Sequence, residues 1–494
     1  MRKLVVPALT VFLLLLSGGA AGCVLGAIYN LPIPFGMYAS GAAGALVASF
    51  VVVAYVLGAA PSRSAVFSSS TSNGRSTLQA HIPRWLVGAG AWASVCCLLL
   101  TVATGLRGAP NILANFGMTF FWIVFGLGLT YATVLVGDIY ALINPWLKLC
   151  DWIESFDAAA FRGQIRYPEA LAYYPALALY MAFIWIELFG QIQPWTLSAI
   201  LLIYTGLNLT AAWVFGKEAW FRYGELFSVF FRLIGKMAPL EYIRTRDSDP
   251  SYLIRARSPF IGLLEVHADH VSLLVFVIFM LSSTAFDGVH FTQPWVSLFW
   301  RHIYPILAAR FDRSYFFFLS IYNAWQWSML VLSPLIYLAI YLLLIWLAKT
   351  LANSTIHLRT LALRFAFTLI PIAFVYNMTH YYGELVSQGL QIVRMISDPF
   401  NLGWNLFGTS SLFRDPIILD AGLVWHTQVA LILFGHIVSV YLAHVEALNV
   451  FPDRRYAALS QTPMLVLMVL LTTAGLWILS LPIDSGQMVT PARA

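Results

Sequence analysis

The feature that most constrains this chain is the recurrence, from end to end, of apolar runs about 20 residues long, each sufficient to cross a hydrocarbon core about 30 Å thick as a helix. The runs fall near 4–29, 36–59, 85–105, 114–138, 169–192, 196–215, 260–286, 326–348, 361–392, 421–445 and 463–483. Of the 494 residues, 60% are hydrophobic and 10% charged. A soluble domain carries about 25% charged residues, so lipid rather than water must solvate most of this surface. The runs lack the alternation of a membrane barrel strand. The expected fold is therefore all-α, a polytopic transmembrane bundle of about 10 or 11 spans.

The segment 1–29 reads as either a first transmembrane helix or a signal peptide, because Arg2 and Lys3 precede an apolar stretch that ends in small residues at Gly18 to Gly22. Beyond it the chain divides into an N-terminal bundle over 30–215, a cytoplasmic amphipathic loop over 216–258 and a C-terminal bundle over 259–494. With eleven spans and the amino terminus inside, about three-quarters of the Lys and Arg residues fall in inner loops, which sets the orientation. That pattern sets the amino terminus on the cytoplasmic side unless the first segment is cleaved. It also accounts for the basic excess, with a pI near 9.1, without nucleic-acid binding. In the long inner loop, Arg222, Glu225, Arg232 and Lys236 share one helical face while Phe221, Phe227, Phe230 and Ile234 lie elsewhere, so this helix is expected to lie flat on the inner surface. Cys23, Cys96, Cys97 and Cys150 have no C-x-x-C spacing and indicate neither a disulfide framework nor a zinc site.

Ionisable side chains inside an apolar span cost about 2.5–3.5 kcal/mol each on insertion scales, and so mark candidate sites. In the ninth span, Asn377, His380, Glu384, Gln388 and Gln391 recur at three- and four-residue intervals, within an arc of about 80° on a helix. His380 and Glu384, four residues apart, could hold one metal ion or one water. Glu187, Asp287, His290, His302, Asp398 and His426 approach the same outer level. Imidazole and carboxylate groups supply what metal-assisted hydrolysis requires, namely ligands for the ion and a base for its water. His380, Glu384 and His426 are the candidate metal ligands, with Asp287 and Asp398 as catalytic groups, and a divalent ion of unspecified identity is the implied cofactor. The bland alternative is a helix that turns polar where it leaves the membrane. No Walker-type loop, G-x-S-x-G elbow or H-E-x-x-H pair occurs.

Five segments carry a family resemblance: Leu31-Pro32-Ile33-Pro34-Phe35, Ile143-Asn144-Pro145-Trp146, Phe286-Asp287-Gly288, Tyr376-Asn377-Met378-Thr379-His380-Tyr381, and Ser397-Asp398-Pro399-Phe400-Asn401-Leu402-Gly403-Trp404-Asn405-Leu406-Phe407-Gly408-Thr409. In the same order they resemble strings of the fenitrothion hydrolases, bacterial polytopic membrane proteins, over most of the chain. The resemblance implies a membrane-bound organophosphorus hydrolase that cleaves the aryl ester of a phosphorothioate triester and releases a nitrophenol. Glu384 lies outside the shared strings. Such triesters are neutral and apolar, so the lipid bilayer and an apolar small molecule are the expected partners. Two other classes remain open: a transporter of a small solute, proton or metal along the same polar stripe, and a membrane subunit that joins a second one through small-residue faces such as Gly41, Ala45 and Ala48.

Overall fold

A computed structural model describes residues 34–59, 79–244, 252–451 and 453–480. The run near 4–29, Cys23, Arg63 and Arg75 lie outside the described residues. Nine of the described helices are long and apolar enough to cross a membrane, and the chain is a multi-pass membrane protein with an all-α bundle fold. The nine are α1 (Phe35–Ala59), α2 (Arg84–Arg107), α3 (Phe116–Val136), α5 (Pro194–Phe215), α7 (Val271–His290), α8 (Tyr315–Leu351), α9 (Leu358–Ser397), α10 (Ala421–Val450) and α11 (Arg454–Ser480). Helix α4 (Tyr174–Phe189) has 16 residues and is apolar but shorter. Helix α6 (Leu226–Gly235) belongs to the long loop.

Each expected run among the described residues is matched by a helix, with bounds shifted where caps and prolines decide them. Helix α7 begins at Val271 rather than near 260 because His270 accepts from Ser272 N and caps it. Asp420 caps α10 by accepting from Leu423 N. Proline opens α4 and α5, where its missing N–H is no loss. Helix α8 runs for 37 residues, about 55 Å at 1.5 Å per residue, so it projects beyond the bilayer core.

One element was not expected. Strands β1 (Gln79–Ile82), β2 (Leu240–Arg244) and β3 (Tyr252–Ala256) form an antiparallel sheet in the order β1-β3-β2, pairing the segment before α2 with the long loop. Arg255 and Arg257 bridge Glu241 and Glu265 beside it. The Tyr242 hydroxyl donates to Val136 O at 2.6 Å and so fixes the sheet to the end of α3. This end of the bundle is the sheet side. Helices α2, α4, α7, α9 and α11 run away from it, and α1, α3, α5, α8 and α10 run toward it.

One expectation about organisation is corrected. The amphipathic loop helix does not lie flat on a surface. In α6 the residues Leu226, Phe227, Val229, Phe231, Leu233 and Ile234 are all buried, so its apolar face wraps most of the helix and is covered by protein. Glu225, expected on the solvated face, is fully buried instead. It caps α6 by accepting from Phe227 N at 3.0 Å and Ser228 N at 2.6 Å, and it accepts from the hydroxyls of Tyr140 and Tyr204. One continuous hydrophobic cluster extends from Leu46 to Met468 and takes in residues of both bundles.

Within this core α7 and α9 are central. Buried residues make up 72% of the apolar window of each, against 11% for α1, which faces outward. Small residues allow helices to approach closely. A Cβ on Gly105 of α2 would collide with Ser198 Oγ and Pro194 O of α5, and one on Gly435 of α10 would collide with the Val375 side chain of α9.

Two measurements follow from this packing. Gly105→Val is expected to destabilise the protein by about 1–3 kcal/mol, whereas Gly206→Val on α5, with nothing within 4 Å of its Cβ position, leaves the detergent melting temperature unchanged. Equal melting of the two variants would contradict the close α2–α5 contact. At the sheet side, burial pushes the carboxyl of Asp138 up from 3.8 to about 6, against the opposing pull of Arg232 and Lys236. A raised carboxylate pKa contributes stability below the unfolded value and loses it as pH rises through the folded one. Asp138 accepts from Ala141 N at 3.0 Å, a bond that asparagine can keep. Asp138→Asn should therefore match the parent in melting near pH ~4 and exceed it from pH ~6 upward; a constant difference at all pH values would contradict this assignment.

Candidate functional site

The polar centre of the molecule is built by α4, α7 and α9, which run in the same direction from the sheet side. Tyr173 N donates to Ser272 Oγ at 3.0 Å, and this bond sets the register between the starts of α4 and α7. From that level both helices rise about 21–22 Å before a carboxylate appears, Glu187 on α4 and Asp287 on α7. The stretch between is apolar and aromatic, with Tyr180 stacked on Phe276 at 5.0 Å and Phe189 against Phe286 at 6.5 Å.

Helix α9 brings an imidazole and a phenol to the same level. His380 Nε2 lies 2.9 Å from Asp287 Oδ2, and the Tyr381 hydroxyl donates to that same oxygen at 2.5 Å. His290 Nδ1 is 2.8 Å from the Asp287 carbonyl and 3.8 Å from Oδ1. Its ring stacks on Phe286 at 5.4 Å, and its buried Nε2 has no hydrogen-bond partner among the described residues. Glu187, half-buried on α4, lies within electrostatic reach of Asp287 and His380. The Asp287 side chain is 8% exposed while that of His380 is 27% exposed. The carboxylate is thus enclosed, and the imidazole it orients stays accessible.

This geometry sorts the residues singled out in the sequence. Asp287 and His380 are brought together, in direct contact. Glu384 lies beside them, bonded by Gln388 one turn on and close enough to His380 to act on it electrostatically. His426 is not part of the cluster. Helix α10 faces α9 through Gln428, whose amide donates to Thr379 O at 2.9 Å, and through Val424, whose carbonyl accepts from the Tyr382 hydroxyl at 3.1 Å. Residue 426, two positions from both, is turned about 160° away from that face. There its ring nitrogens meet Gly422 O at 2.7 Å and Tyr38 Oη at 3.5 Å. The ligand trio His380, Glu384 and His426 is therefore not assembled, and among the described residues no three His, Cys, Asp or Glu side chains are grouped to hold a metal ion.

Asp398 is corrected as well. Its two carboxylate oxygens accept from Leu402 N at 2.8 Å and Gly403 N at 2.7 Å. Ser397 Oγ accepts from Phe407 N at 3.1 Å and bonds Thr409 Oγ1 at 2.7 Å. The string Ser397–Thr409 is a loop pinned at its base, and both oxygens of Asp398 are occupied in forming it. At Gly403 the backbone has φ 85, a left-handed conformation suited to glycine. The deeper His436 of α10 is also structural here. It is fully buried, its Nδ1 meets Ile432 O at 2.8 Å, and its ring stands edge-on to Tyr376.

No protein-family model, curated protein or solved structure matches this chain. What the site can do must accordingly be read from its atoms.

Sequence reasoning passed over Tyr381 and left Glu187 without a role. Tyr381 sits about 100° round the helix from His380 but only about 20° beyond Gln388, at the edge of the polar stripe, so its place in that face could be read from periodicity. The adjacency of a phenol and an imidazole inside an apolar span was a second signal.

The role assigned to Asp398 can be checked without an activity assay. Asp398→Ala should raise the rate of proteolytic cleavage within 399–413 and leave melting of the bundle unchanged. An uncleaved loop in that variant would contradict the anchoring role.

Proposed function

We propose that this protein is a membrane-embedded hydrolase of neutral, apolar esters, with organophosphorus triesters of the fenitrothion type as the substrate class. The observation that carries the reading is the Asp287–His380 contact at 2.9 Å, in which the carboxylate is enclosed and the imidazole is accessible. A carboxylate bonded to one ring nitrogen fixes the tautomer and orientation of the imidazole, and so leaves the other nitrogen, Nδ1, as a base for water. The activated water attacks the electrophilic phosphorus as the phosphorus–aryloxide bond breaks, and nitrophenolate, a good leaving group, departs. A neutral triester partitions into lipid, which suits a site on membrane-spanning helices. The shared strings that carry the family resemblance include both Asp287 and His380, which further supports this substrate class. The abundance of Lys and Arg in the loops of the sheet side supports an inner-membrane location with that side cytoplasmic.

A second reading is a proton-coupled carrier. What favours it is that Glu187, Asp287 and His380 come from three different helices inside the bundle, as groups of a proton relay do.

The test is nitrophenolate release from fenitrothion or paraoxon by purified protein in detergent, with and without a chelator. His380→Ala and Asp287→Asn are expected to lose about 10²-fold or more in kcat/KM, the scale of general-base catalysis, while His426→Ala retains activity. Loss of release on chelation would restore the metal-assisted route. No release from the native protein, combined with substrate-dependent proton uptake into vesicles, would replace the hydrolase with the carrier.

A further inference from the structure

The outer loop that begins at Asp398 does not stay at the tip of α9, because its second half turns back along the helix. Ile417 N donates to Ser387 O at 3.1 Å, and Leu419 Cδ1 lies 4.0 Å from where a Cβ on Gly383 would stand. Asp420 then caps α10 by accepting from Leu423 N at 2.7 Å. Residues 417–419 thus descend from the level of Ser387 to that of Gly383, about 6 Å in two extended steps.

His380 is the next group below on the same side of the helix. Ser387 follows it by seven residues, which returns the helix to within about 20° of the same azimuth about 10 Å further out. Gly383 stands about 60° away and about 4.5 Å further out. The segment therefore passes over the imidazole, whose side chain keeps 27% of its surface accessible.

The side chains that the segment brings there are Ile417, Ile418 and Leu419, three apolar residues in a row between Asp415-Pro416 and Asp420. Asp287 is level with His380, so Gly383 is level with the end of α7 at His290. Non-helical backbone so close to the hydrocarbon region persists where it is buried in protein or lines a cavity. Ile417 is 38% and Ile418 87% exposed, so this backbone is not buried. It lines the opening above His380.

We infer that residues 417–419 form the apolar wall of the substrate site, touch the alkoxy arms of the ester, and set the length of arm that the protein accepts. The inference rests on the hydrolase reading of the Asp287 and His380 pair. A water held on His380 Nδ1 reaches phosphorus from about 3 Å away, in line with the departing aryloxide. The two alkoxy arms spread sideways from that line, and arms of a few carbons span the distance to Leu419 and Ile417. Each methylene laid against the wall leaves water and strengthens binding, up to the length at which the wall is filled.

The experiment compares dialkyl nitrophenyl phosphates with dimethyl, diethyl and dibutyl arms, using purified full chain in detergent. Leu419→Trp, which fills the space over His380, should lower the dibutyl-to-dimethyl ratio of kcat/KM by about 10-fold. Gly383→Val crowds the same gap from the side of α9 and should move the ratio in the same direction, so it serves if Leu419→Trp fails to fold. Leu402→Trp, near the loop base and about 25 Å further out than His380, should leave the ratio where it was. A ratio that neither Leu419→Trp nor Gly383→Val moves, or that Leu402→Trp moves equally, would overturn the inference. A second arm needs no turnover: a dibutyl aryl phosphate carrying a diazirine on one arm is photolysed with the native chain, and labelled peptides are mapped by mass spectrometry. Label on residues 417–419 that excess unlabelled ester displaces is expected. Label that is not displaced, or that is confined to lipid-facing helices, would overturn the wall. Displaceable label on 417–419 in a protein that hydrolyses none of the three esters would sink the hydrolase reading and leave the binding wall standing.

Discussion

A carboxylate as far along a membrane-spanning helix as Asp287 is tolerable only with donors on its oxygens, and the arrangement of three helices follows from supplying them. Oδ2 takes His380 at 2.9 Å and Tyr381 at 2.5 Å, while His290 stands 3.8 Å from Oδ1. An uncompensated carboxylate would cost about 2.5–3.5 kcal/mol on insertion scales, comparable to burying a large apolar side chain. The donors come from α9, so α7 and α9 must keep one relative rotation and one relative height. A slip of one residue on either would turn the partners apart by about 100°. The polar contact therefore selects among packings that apolar side chains alone would permit.

The surrounding core makes that selection affordable. Helices α7 and α9 are the most enclosed of the long spans, so their polar groups face protein rather than lipid. Close approach at Gly435 lets α10 lie against α9, and the bond from Tyr173 N to Ser272 sets the start of α4 against that of α7. At the sheet side, Glu225 performs a similar service for α6. It gathers two backbone N–H groups and two tyrosine hydroxyls, which secures a helix that joins the first half of the chain to the second. Both carboxylates are enclosed, but they differ in use. Every oxygen of Glu225 is occupied by structural donors, whereas the partner of Asp287, His380, keeps an accessible edge.

Much of the candidate site was legible in particular residues. The stripe from Asn377 to Gln391 announced a polar face on a span, and Asp287 stood out as a charge at the end of an apolar run. Other assignments failed for identifiable reasons. His426 was grouped with His380 because both lie at the same depth, yet depth says nothing about azimuth, and α10 turns His426 toward Tyr38. Asp398 was grouped with the site because it lies at the same outer level, but adjacent backbone N–H groups claim both of its oxygens. Helix α6 carries charges on one face, which suggested a surface helix. One of them, Glu225, turned inward because buried hydroxyls and N–H groups were waiting for it.

Hydropathy is a local property measured against a nearly constant bilayer thickness, so the sequence by itself determined that this chain is a membrane bundle, where its spans lie and at what depth each polar side chain sits. Partnership between helices depends on the rotation of each about its axis, which packing between residues far apart in the chain sets. Only the tertiary structure could decide that Asp287 meets His380 and Tyr381, that Glu187 comes within electrostatic reach of them, and that His426 and Asp398 are bonded elsewhere.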